Sequence, residues 1–113
     1  MKLTFNDKYD CKLSTMALIQ IEEELKTNPL NMLMDDEMPE LKTLTTILYY
    51  AMRACDHSIK KNDMYDILDE YFEGEGNDFT SLFMFINDLY RESGLIKMTD
   101  EALPSTEGED SKN

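Results

Sequence analysis

The only histidine of the chain, His57, directly follows Cys55 and Asp56, and all three residue types are common metal ligands. Metal binding would require their side chains to converge on one point. Consecutive residues at a helix end point in different directions, because only positions three or four apart share a helix face. We therefore expect an exposed or helix-capping histidine here, and no metal site.

A second candidate is the acidic segment 69–80, which has Gly74 at the sixth position of a calcium-binding loop register. Tyr71 occupies the third position and Thr80 the twelfth, where such a loop needs an oxygen ligand and a bidentate glutamate. A phosphate does not suit this segment either, because Gly74 and Gly76 lie between acids that would repel it. We expect neither a calcium loop nor a phosphate cradle.

Groups of catalytic residues are equally hard to assemble. With a single histidine, the chain offers no convincing nucleophilic triad. The acidic runs 22–24 and 35–37 are more typical of solvated faces and loops than of acid–base catalysis. We therefore expect a protein that is not an enzyme, has no cofactor and acts by binding.

Composition narrows the class of partner. The chain has 113 residues, with 24 acidic and 11 basic side chains and a formal net charge of −13. This charge opposes binding to nucleic acid or to an anionic membrane surface, since both are negative. Hydrophobic residues make up 42% of the sequence, too many for a wholly disordered chain. No stretch approaches the roughly 20 apolar residues of a membrane span, and no signal-peptide pattern opens the sequence. We expect a cytoplasmic protein.

The N-terminal part predicts a hairpin followed by a helix. Residues 2–13 alternate weakly around Asn6, Asp7 and Lys8, which form a typical turn sequence. Ser14 then offers a helix cap, and apolar residues three and four apart predict a first helix over 16–26.

Three further helices follow from the same spacing. The helix predicted over 39–55 is apolar nearly all round, so it should be central or shared with a partner. Asn62 or Ser58 can cap a helix over 64–72, and a last helix is predicted from Phe79 to a Ser-Gly stop.

These elements predict a mainly α fold, a helical bundle of about four main helices with a short N-terminal β-hairpin. It should form a single domain over residues 1–97. Residues 98–113 carry five acids and one lysine, which predicts a flexible acidic tail. Cys11 and Cys55 lie far apart within apolar patterns, so we expect two buried, reduced thiols.

Methionine and aromatic residues suggest a contact surface. The chain has nine methionines, and this flexible, polarizable side chain packs against apolar partners of varied shape, although a single methionine more often fills a gap in a core. Two pairs of adjacent residues, Tyr49–Tyr50 in the central helix and Met84–Phe85 in the last helix, lie outside the apolar repeat that should form the core. We predict an exposed surface that binds another protein or a second copy of the chain, with the candidate residues Tyr49, Tyr50, Met84, Phe85, Met32 and Met34.

The order and lengths of these segments carry a family resemblance. Over residues 1–97 they read MKLTFNDKYDCKL, STMALIQIEEEL, LKTLTTILYYAMRAC, SIKKNDMYDILDEYF and FTSLFMFINDLYRESG. This series resembles the small tail assembly chaperones encoded by long-tailed phages and prophages of Gram-positive bacteria. The resemblance implies a chaperone in the bacterial host cell that coats hydrophobic stretches of the tape measure protein. It also implies assistance in delivering tail tube protein.

Two alternatives remain open from the residues alone. The net charge of −13 also suits an acidic regulatory protein, such as a DNA-mimicking inhibitor that occupies a basic host partner. A structural subunit of the virion is the other alternative. Affinity for a basic partner should fall steeply with salt, whereas apolar binding by a chaperone should not.

Overall fold

A computed structural model describes residues 2–28 and 38–94 of the chain. Its elements follow the predicted order of a hairpin and then helices. Within the described residues there are four helices, so the mainly α fold with an N-terminal hairpin is confirmed. Met32, Met34 and the predicted tail over 98–113 lie outside the described residues.

The hairpin pairs strand β1 (Leu3–Phe5) with strand β2 (Tyr9–Cys11) in antiparallel register. Asn6 and Asp7 take left-handed backbone angles, with φ of 53° and 59°, which these two residue types tolerate better than most. The Lys8 amide closes the turn by donating to the Phe5 carbonyl at 3.0 Å. The predicted turn is therefore confirmed.

Helix α1 (Thr15–Leu25) begins where the sequence predicts a cap. The Ser14 hydroxyl accepts a hydrogen bond from the Ala17 amide at 3.1 Å, which satisfies one of the free donors of the first turn. The helix ends at Lys26, which takes a left-handed φ of 57°.

Helix α2 (Leu41–Arg53) is the central element. It packs against α1, against the last helix and against β2, and the Lys12 amide donates to its Ala51 carbonyl at 3.0 Å. Its fully buried side chains include Leu44, Ile47 and Leu48. The prediction that the most apolar helix is central is confirmed.

Helices α3 (Asp63–Glu73) and α4 (Phe79–Ser93) complete the bundle. Asp78 and Ser81 form a reciprocal capping box at the start of α4. Gly94 ends that helix with a φ of 80°, a left-handed angle that glycine adopts without steric cost.

The two cysteines differ in environment. Cys11 is buried as predicted, and burial raises the pKa of its thiol to about 12. The prediction that Cys55 is also buried is wrong, because Cys55 is exposed. The reason is that α2 ends at Arg53, two residues earlier than the predicted limit, so Cys55 lies beyond the last turn that packs on the core. Both thiols are free.

Replacement of Leu48 by Ala should remove a fully buried side chain from the centre of the bundle. We expect the free energy of unfolding to fall by about 2–5 kcal/mol in urea denaturation. The control is Met84→Ala at an exposed site on α4, for which we expect a change within about 0.5 kcal/mol. Equal losses in the two variants would contradict the central position of α2.

Candidate functional site

An open groove runs between α2 and α3, with a volume of about 540 Å³. Tyr49, Met64 and Leu68 are its buried apolar and aromatic lining residues. Leu41 and Tyr65 border it and are 47% and 67% exposed, although both are large apolar side chains. The groove is therefore an apolar surface that the fold leaves open to solvent.

Side-chain contacts join α3, one wall of the groove, to the hairpin and to α4. The rings of Phe5 in the hairpin and Tyr71 in α3 lie 4.5 Å apart, and the Tyr71 hydroxyl shares a hydrogen bond with the Ser81 hydroxyl of α4. Lys8 and Glu70 add an ion pair of 2.7 Å between the turn and α3. Within the described residues, α3 makes no extensive backbone contact with α2 or with any other element, so side chains hold it in place.

The α2 wall offers few free polar groups. The Thr45 hydroxyl donates to the Leu41 carbonyl at 2.8 Å, and the Thr46 hydroxyl donates to the Lys42 carbonyl at 2.9 Å. Both threonine hydrogens are thus used within their own helix. An apolar side chain can enter next to them without leaving a donor unsatisfied.

One polar cluster joins three parts of the chain beside the groove. The Glu24 carboxylate of α1 accepts hydrogen bonds from the Tyr50 hydroxyl of α2 at 2.6 Å and from Lys61 Nζ at 2.8 Å. These bonds lower the pKa of Glu24, with the bond from Lys61 as the larger cause. Burial and then the bond to Glu24 raise the pKa of Tyr50 to about 12. Glu24 therefore joins the C-terminal end of α1 to α2 and to the segment that precedes α3.

The four described residues of the predicted contact surface lie in different surroundings. Tyr49 is only 8% exposed and lies within the groove lining, so its predicted exposure is wrong; the reason is that Tyr49 faces α3 rather than solvent. Tyr50 is half-buried and bonded to Glu24. Phe85 is half-buried against Phe5, with ring centres 5.2 Å apart. Met84 is 60% exposed on α4, away from the groove. Partner binding by these residues stays a prediction.

Among the described residues, Tyr49 is the one predicted contact residue that lines the groove, and the apolar lining residues that sequence reasoning missed include Leu41, Tyr65 and Phe72. Leu41 and Phe72 fit the apolar repeats of their helices and were therefore expected in the core. Tyr65 stands outside the repeat of its helix, and that aromatic position off the core face was a usable sign of a surface contact.

His57 and the acidic side chains of the described residues form no metal-binding cluster. His57 is exposed, as expected, and its carbonyl accepts a hydrogen bond from Arg53. In residues 2–28 and 38–94, no three His, Cys, Asp or Glu side chains are placed to hold a metal ion. Over the same residues, no helix combines the length and apolarity of a bilayer crossing.

Comparisons with protein-family models, with curated proteins and with solved structures found no match for this chain.

Replacement of Glu24 by Gln should reduce stability in a pH-dependent way. Because the folded-state pKa of Glu24 lies below its ordinary value of 4.5, its charge stabilises the fold fully above that pH. This stabilisation is lost as pH falls through the lower folded-state pKa. We expect urea midpoints of the variant to lie below those of the parent at pH 7 and to converge with them in acid.

The matched control is Glu23→Gln, which removes the same charge from the neighbouring exposed position of α1. Its difference from the parent protein should vary less with pH. Identical pH profiles for the two variants would show that the bonds from Tyr50 and Lys61 do not stabilise the fold.

Proposed function

We propose that this chain is a tail assembly chaperone that holds apolar segments of a phage tape measure protein in the groove between α2 and α3. The observation that carries the proposal is the exposure of Leu41 and Tyr65, two large apolar side chains, beside an apolar groove. The resemblance of segments 1–97 to such chaperones supplies the identity of the client. It also suggests assistance to the tail tube protein within the bacterial host cell.

The size of the groove suits temporary binding. A volume of about 540 Å³ admits only a few large side chains, each worth about 1.5–3 kcal/mol when fully buried. Association costs several kcal/mol in lost freedom, so the remaining affinity is modest. Modest affinity allows a chaperone to release its client when the client finds its final partner.

The charge of the chain supports the same task. A net charge of −13 keeps a complex with an exposed apolar client dispersed, because like-charged complexes repel one another. The groove itself contributes apolar contacts, and neither role includes a catalytic step.

The proposal requires that a tape measure protein is encoded beside this chain. The test is to co-express the full chain with that tape measure protein. We expect the tape measure protein to stay in the soluble fraction and to co-purify with the chain. The variant Leu41→Ser/Tyr65→Ser should lower affinity for an isolated apolar segment by at least about tenfold, measured by calorimetry.

The control variant is Met16→Ser/Met84→Ser, which removes two side chains that are at least as exposed and lie outside the groove. It should bind like the parent protein. Equal binding by both variants would contradict the groove as the site. Binding that disappears with added salt would favour the acidic inhibitor instead.

A further inference from the structure

The two edges of the groove differ in charge. Helix α3 has the sequence DMYDILDEYFE, with five acids and no lysine or arginine. Two of these acids have local partners, since Glu70 pairs with Lys8 and Asp63 accepts a hydrogen bond from the Lys60 amide. The other three are Asp66, Asp69 and Glu73.

These three acids share one face of α3, because they are spaced by three and four residues. Asp69 lines the groove directly, four residues after Tyr65. All three are exposed, and none forms an ion pair with a base in residues 2–28 and 38–94. The α3 edge of the groove is therefore negative.

The opposite edge differs. Lys42 of α2 lines that side of the groove. Lys61, which precedes α3 and also lines the groove, is paired with Glu24 at 2.8 Å. The two edges thus carry different charge, and the acids of the α3 edge are left for a partner to neutralise.

The walls of the groove also favour one secondary structure in a bound segment. Both walls are helices, whose backbone donors and acceptors bond within the helix. An extended segment would find no strand edge to pair with and would bury unpaired backbone groups. A helix satisfies its own backbone and can present a row of apolar side chains to the groove.

A second copy of this chain fits the groove poorly. Each copy carries a net charge of −13, so the acidic α3 edge would meet another acidic surface. A segment with positive side chains has the complementary charge.

We propose that the groove binds an amphipathic helix whose apolar stripe is bordered by Lys or Arg along the edge that faces Asp66, Asp69 and Glu73. This inference rests on the proposed function, since it describes the client of the same groove. The apolar stripe supplies affinity, and the basic border selects which helices bind.

The test uses the full chain and three synthetic helical peptides of about 14 residues, roughly four turns. All share one Leu-rich stripe, and the border positions are Lys, Gln or Glu. Fluorescence anisotropy should rank the peptides Lys, Gln, Glu in order of decreasing affinity. We expect about tenfold between the first and the last at low salt, from a few exposed charge pairs. The difference should shrink as salt rises to about 0.5 M.

Two variants that each remove two negative charges show which acids cause the preference for the Lys peptide. Asp66→Asn/Asp69→Asn should reduce the preference for the Lys peptide over the Gln peptide severalfold. Asp88→Asn/Glu92→Gln neutralises two exposed acids on α4, which does not line the groove, and should preserve the preference.

Each other outcome has a definite meaning. Equal binding of the three peptides would overturn the basic border and leave the proposed function intact, whereas no binding of any peptide would overturn both. Equal effects of the two variants would show a general charge effect and overturn the inference. If sedimentation shows that the chain self-associates and that the peptide dissociates these oligomers, the occupant of the groove is a second copy of the chain. That outcome would also overturn the inference.

Discussion

The packing of α2 is the constraint on which the rest of the molecule depends. This helix contacts α1, α4 and β2 together, and its side chains at Leu44, Ile47, Leu48 and Ala51 are fully buried. Helix α3 joins this framework through side chains, since Tyr71 packs on Phe5 of the hairpin and shares a hydrogen bond with Ser81 of α4. The groove lies between the central helix and α3.

The chemistry of the groove follows from the same arrangement. Its lining is apolar because Tyr49, Met64 and Leu68 continue the core to the surface, and the threonines of α2 bond to their own helix. Glu24 joins α1 to Tyr50 and Lys61 beside the groove, so polar groups lie at its margin. An apolar surface with polar margins is typical of a site that binds another polypeptide.

Sequence predicted the features that depend on neighbours in the chain. Asn6 and Asp7 tolerate a left-handed turn, Ser14 caps the following amides, and Gly94 ends α4. The groove was missed because the exposure of Leu41 and the burial of Tyr49 depend on how α2 and α3 lie relative to each other, and no local pattern in the sequence states that arrangement. Cys55 was misplaced for a related reason, since the last buried turn of α2 depends on its contact with β2.

Chemical-shift mapping by NMR tests the central claim most directly, because it reports which side chains a bound segment touches. The full chain would be titrated with an apolar helical segment of a tape measure protein while its methyl and aromatic resonances are followed. The account predicts the largest shifts at Leu41, Tyr65 and Phe72, with Met84 nearly unchanged. Shifts concentrated at Met84 and Phe85, or no shifts at saturating concentrations of the segment, would contradict it.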